Sequence, residues 1–172
     1  MRILYRIRQF WYSLTAIPTS EDIARLDGVL SKPLMELFST LQPGEQVHGL
    51  QIYHKLLEQG ETNCDLLAAA LLHDVGKNRY PLRIWQRVII VLGKSLFSDH
   101  VKRWSLGDPG SWRRPFVVAD KHADWGSEMA VQAGASTTTV KLIQHHHDPL
   151  RKSPIEEDDL LLNRLQLLDD RC

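Results

Sequence analysis

Residues Leu66 to Leu72 are apolar without a break, and the next two residues are His73 and Asp74. A helix apolar on every side has to be enclosed by other elements instead of lying on a surface. The stretch Asp65 to Val75 therefore reads as the buried central helix of the fold. Its end carries an imidazole and a carboxylate into a region where an unpaired carboxylate is expensive. His73 and Asp74 must then find hydrogen-bond partners, an opposite charge or a metal ion.

The remainder of the chain reads as helical too, which makes the expected fold class all-α. Glycine and proline cluster in short connectors, and no stretch of any length alternates with a period of two. A first, amphipathic helix is expected from about Ile3 to Leu14. A second follows the start signal Thr19-Ser20-Glu21-Asp22, and Pro33 or Pro43 bounds the next piece. Glu45 to Gln59 reads as a helix stopped by Gly60. Later helices are expected around Ile84 to Leu96, His122 to Ala133 and, after Gly134, Thr137 to His147. Ser153-Pro154-Ile155-Glu156 combines an N-cap serine, a first-turn proline and a capping-box glutamate, and opens a final helix. Residues 1–44 are expected to pack as helices on a main domain of residues 45–172.

Composition narrows the function classes. With 172 residues, one domain with a real core is expected. Lys and Arg total 21 and Asp and Glu total 21, so the overall charge favours no stable nucleic-acid binding. Two cysteines, Cys64 and Cys172, do not make a disulfide scaffold, and a reducing, cytoplasmic setting is expected. Arg6 and Arg8 interrupt any signal-peptide core. No apolar run approaches the roughly 20 residues of a membrane-spanning helix.

Helical phase sorts the remaining polar candidates. At about 100° per residue, Leu160, Leu161, Leu162, Leu165, Leu167 and Leu168 fall on one broad arc of the last helix. Asp169 falls inside that arc, whereas Asp170 falls with Asn163 and Gln166 in a polar gap. Around Val140 to His147, His146 points inward between Leu142 and Ile143, with His147 second at the margin. His48 borders the apolar face of the Glu45 helix. Each of these residues taken singly reads more readily as a satisfied core or surface group than as a ligand. Together with His122 they form an ordered set of imidazoles and carboxylates, types that donate lone pairs to divalent cations.

That set, with the string His73-Asp74-Val75-Gly76-Lys77, resembles the HD-domain superfamily of metal-dependent phosphohydrolases from about Glu45 to Asp170. The resemblance implies a helical bundle with a metal site at its centre. It implies that His48, His73, Asp74 and Asp169 hold one cation. His122 and His146, with His147, would complete a second site around a bridging Asp74. Two divalent ions are implied, of Mn, Fe, Mg, Co or Ni. Such a centre activates water and offsets phosphoryl charge, so no serine or cysteine nucleophile is needed. Asp74 and Lys77 are the implied catalytic residues, with Lys77 contacting a small phosphorylated substrate, a phosphomonoester or phosphodiester such as a nucleotide. The chain departs from the branch that cleaves cyclic di-GMP. After its histidines comes Asp148-Pro149-Leu150, with no Gly-Tyr-Pro, and that activity is not expected. Two other readings share the scaffold: a di-iron oxygenase, and a nucleotide-sensing module that does not cut.

The segment Arg79 to Phe116 reads as an insertion. It carries Trp85, Trp104 and Trp112, and eight Lys or Arg against two acids. Three readings of it stand side by side. Arg83, Arg87, Lys102, Arg103, Arg113 and Arg114 can form a lid over substrate, among which Arg83, Arg113 and Arg114 are the binding candidates. Ile84 to Phe97 can make peripheral contact with an anionic membrane. The tryptophans can equally be core and the cations a solvated face.

Overall fold

The computed structural model describes residues 17–150 and 156–172. The helix expected over Ile3 to Leu14 and the start signal Ser153-Pro154-Ile155 lie outside the described residues. Among the described residues there is no strand, and the chain is all-α. The helices are α1 (Ser20–Ala24), α2 (Lys32–Ser39), α3 (Pro43–Glu58), α4 (Cys64–Leu72), α5 (Ile84–Leu96), α6 (Ser98–Trp104), α7 (Arg114–Gln132), α8 (Thr137–His145) and α9 (Glu157–Asp169). A 3₁₀ turn, Val75–Arg79, follows α4. Among the described residues no helix is long and apolar enough to cross a membrane.

Short-range signals set several helix ends. Thr19 and Asp22 form a reciprocal capping box on α1, each side chain bonding the other's backbone N–H at 3.1 Å. Asn63 accepts from the N–H groups of Asp65 and Leu66, both at 3.0 Å, and starts α4. Gly60 and Gly134 end α3 and α7 with φ of 76° and 78°, the left-handed conformation that side chains resist. Glu61 N–H then reaches back to Leu56 O at 3.0 Å and Ala135 N–H to Ala130 O at 2.9 Å, satisfying carbonyls the helices leave open.

The core encloses α4, where Leu66 through Leu72 are all buried. Leu26, Leu30, Leu34, Phe38 and Leu41 join the same apolar cluster as residues of α3, α4, α8 and α9, so α2 and its flanks cover one side of the central helix. Ser136 ties the start of α8 to α4 by donating to Asp65 Oδ1 at 2.5 Å, while accepting from Thr139 N–H at 3.0 Å.

Two expected boundaries and one expected facing shift. The α4 helix ends at Leu72 instead of Val75, and the backbone tightens into the 3₁₀ turn. The turn passes so close to α7 that a Cβ on Gly76 would lie 1.9 Å from His122 O and 2.5 Å from Gly126 N. Gly76 does not have positive φ, so the position requires space and not a special backbone angle. Helix α7 starts at Arg114, well before His122, because Pro115 suits a first turn and Phe116, Val117 and Val118 pack inward. On α9, Leu160 and Leu167 are exposed while Gln166 is buried, the reverse of the phase assignment. Gln166 is drawn in because its amide donates to His145 O and Asp148 O, at 3.2 and 2.7 Å. It thereby fastens the end of α8.

Candidate metal centre

His48 on α3, His73 and Asp74 after α4, His122 on α7, His146 and His147 at the end of α8, and Asp169 on α9 come together at one end of the central helix. Two groups form around Asp74. His48, His73 and Asp74 offer ligand atoms all within 4.8 Å of one another, and so do His122, His146 and His147. Asp74 faces both. Its Oδ2 lies 3.6 Å from His73 Nε2, and its Oδ1 lies 3.4 Å from His122 Nε2 and 4.0 Å from His146 Nε2. Asp169 Oδ1 accepts from His48 Nε2–H at 2.8 Å and lies 3.7 Å from His73 Nε2. Asp170 is exposed.

The backbone fixes which nitrogen each buried ring presents. Nδ1–H of His73 donates to Ala70 O at 3.0 Å, that of His122 to Val118 O at 2.8 Å, and that of His146 to Ile143 O at 2.6 Å. Helix carbonyls one turn upstream thus hold all three imidazoles with Nε2 turned toward Asp74, an outer arrangement typical of ligating histidines. The Nε2 atoms of His73 and His146 are buried with no hydrogen-bond partner among the described residues. A buried polar atom left without a partner costs about 1–3 kcal/mol. Convergent nitrogen lone pairs and two carboxylates fit one or two divalent cations, which would relieve that cost.

Electrostatics agree with that fit. Burial alone would push His73 down, but Asp74 and Asp169 outweigh it and raise its pKa to about 9. Burial would raise Asp74, yet Lys77 and His73 hold it well below the ordinary carboxylate value. Asp169 is also lowered against burial, by His73 and the His48 hydrogen bond. His146 is pushed well down by burial and by the neighbouring imidazoles, which keeps it neutral. His147 is lowered to about 4, first by burial of its ring and then by His122. Its Nε2–H points at His122 Nε2, 2.9 Å away, although the residue as a whole is exposed.

Lys77 donates to Asp74 Oδ2 at 2.5 Å and lines an open cleft of about 240 Å³ that ends on His122 and His147. Glu45, Arg87 and Lys94 also line it, with Leu82, Ile90, Val91 and Val118 as apolar wall. Of the six cations suggested for a lid, Arg87 alone is on this lining. Arg114 donates Nε–H to Pro109 O at 2.8 Å and stacks over Tyr80. Arg113 stacks on Trp112, and Arg83 occupies the exposed N-cap of α5. The structure does not bring these three to the cleft. Glu45 and Lys94 escaped the sequence reading. Glu45 is 5% exposed, accepts from Arg87 at 2.8 Å, and leaves Oε2 without a hydrogen bond among the described residues. No motif marks it; an acid in the first turn of a helix is ordinary.

The α9 geometry carries a direct test. Asp169→Asn is expected to lower metal content by roughly 10-fold or more, because an amide is a poor replacement for an anionic ligand. Asp170→Asn should leave it unchanged. Elemental analysis after dialysis reads both, and equal losses would refute the assignment of Asp169 over Asp170.

A family model described as HD domain matches residues 47–171. Neither the curated proteins nor the solved structures yielded a match. The match spans α3 to α9 and so contains the histidines and aspartates that converge here, and members of that family are commonly metal-dependent hydrolases. The chain belongs to the HD-domain family.

Proposed function

We propose that the protein is a two-metal phosphohydrolase that cleaves a phosphomonoester or phosphodiester bound in the cleft beside Lys77. The observation that carries this reading is the pair of buried, unpartnered Nε2 atoms of His73 and His146 on either side of Asp74. A pair of cations supplies the activated water and offsets charge on the phosphoryl oxygens. His48, His73, Asp74 and Asp169 would hold the first, and His122, His146 and His147 the second, with Asp74 offering one oxygen to each.

The chain's own groups do the rest. Asp74 stays anionic because Lys77 and His73 hold its pKa down. Lys77 stays charged, since Asp74 and Glu45 outweigh the burial that would lower it. Its ammonium therefore meets a substrate phosphate at the inner end of the cleft. Arg87, fixed by Gln42 and Glu45 at 2.8 Å each, keeps a second cation beside it. Leu82, Ile90, Val91 and Val118 cover the esterified group and exclude water from one wall.

The test is phosphate release from a panel of phosphomonoesters, phosphodiesters and nucleotides, with Mn²⁺, Mg²⁺ or Fe²⁺ added after chelation. Turnover that vanishes with chelator and returns with metal is expected. If none of these substrates turns over and an iron-loaded sample shows a mixed-valent di-iron signal with oxygen consumption, the hydrolase reading gives way to an oxygenase. Nucleotide binding without turnover would make the protein a sensor.

A further inference from the structure

Helix α5 is amphipathic with its apolar side outward. At about 100° per residue, Trp85, Val88, Ile89, Leu92 and Leu96 share one stripe, and all are exposed. Trp85 is 55% exposed, Leu92 52% and Leu96 67%. The adjoining side is the one that packs: Gln86 and Gly93 are buried, and a Cβ on Gly93 would meet the Phe116 ring at 2.6 Å. The stripe does not stop with the helix. Phe97, 52% exposed, touches the Trp104 ring, which touches that of Trp112, itself exposed. A contiguous exposed apolar surface of this kind marks an interaction site.

Charge decides what covers it. Between Arg79 and Trp112 the acids are Asp99 and Asp108, against six Lys or Arg. Arg79 pairs with Glu128, Arg87 with Glu45, and Lys94 lines the cleft, which leaves Arg83, Lys102 and Arg103 exposed in the same segment and Arg113 stacked on Trp112 at the end of the ridge. Two copies meeting through this face would set like charges against one another. The chain's first sixteen residues carry Arg2, Arg6 and Arg8 and no acid, so they gain nothing electrostatically by covering it. An apolar stripe with aromatic ends, in a segment of net positive charge, matches a surface that is apolar beneath and anionic above.

We infer that α5 and the Phe97–Trp104–Trp112 ridge dock the protein on an anionic lipid surface. The apolar stripe enters the headgroup boundary, and the segment's net positive charge draws it to the lipid phosphates. Val91 belongs both to this outward side and to the cleft wall, so docking brings the cleft mouth beside the lipid. The inference stands whether or not the metal centre is hydrolytic.

Co-sedimentation of the full chain with vesicles tests it, comparing phosphatidylcholine alone with a mixture containing about 30% phosphatidylglycerol. The wild-type protein is expected to pellet with the anionic vesicles, less so as salt rises, and to stay in solution with the neutral ones. A Trp85→Gln, Leu92→Gln, Leu96→Gln variant should lose at least roughly tenfold in apparent affinity. Its melting temperature and metal content should be unchanged, since none of the three side chains is buried or in the cleft. Three outcomes would overturn the inference: no pelleting of the wild type, equal pelleting of the variant, or a lipid-free dimer that the same three substitutions dissociate.

Discussion

Asp74→Ala should leave less than about a thousandth of the wild-type phosphoester turnover, the largest catalytic loss expected from any one substitution in this protein. Asp74 is the one side chain that faces both histidine groups, so its removal disconnects both cation positions at once. It also strips Lys77 and His73 of the carboxylate that balances them in a buried setting. Leaving buried charge uncompensated costs about 3–5 kcal/mol, so the metal-free variant should also melt earlier. The carboxylate's pKa is lowered on folding, which means its stabilisation is present at neutral pH and fades as pH falls through the acid range. Asp74→Asn keeps the shape and removes the charge, and should share the loss of turnover. Residual turnover within tenfold of wild type in both variants, measured at saturating metal, would remove Asp74 from the chemistry and the two-metal proposal with it.

Gly76→Ala should unfold or nearly unfold the protein, at a cost above about 4 kcal/mol. The new methyl group would sit 1.9 Å from His122 O and 2.5 Å from Gly126 N, and both obstacles are backbone. Neither can swing aside like a side chain, so the 3₁₀ turn would have to part from α7. That movement would carry His73 and Asp74 away from His122. Gly60→Ala is the useful contrast. Its φ of 76° strains an alanine, but nothing lies within 4 Å of the added carbon. The expected loss there is about 1 kcal/mol. Urea denaturation separates the two, and similar midpoints for them would show that the turn does not need its close approach to α7.

The two glycines also mark where sequence reasoning succeeds and where it stops. Gly60 is legible as a helix stop because a left-handed C-terminal residue is a local requirement, met within a few residues of chain. Gly76 invites the same reading, yet its reason lies in α7, almost fifty residues onward. Among the functional residues the division recurs. His73-Asp74 is marked by its place at the end of an all-apolar helix. His146 and Asp169 follow from phase because their neighbours Leu142, Ile143, Leu165 and Leu168 are core. Gln166 defeats the same arithmetic, since two backbone carbonyls from another segment pull it inside. Glu45 and Lys94 show the same limit, for nothing near them in the chain reveals that the 3₁₀ turn, α3, α5 and α7 share a cleft.

Helix class, several caps, the buried α4 and the chemical types at the candidate metal centre were determined by the chain alone, because periodicity and capping act over one or two turns. The two-sided geometry around Asp74, the outer hydrogen bonds that orient three imidazoles, the composition of the cleft and the outward apolar side of α5 were decided by tertiary structure. The physical reason is range: each depends on which groups from distant segments approach within a few ångströms, and close packing selects those partners only once the helices have met.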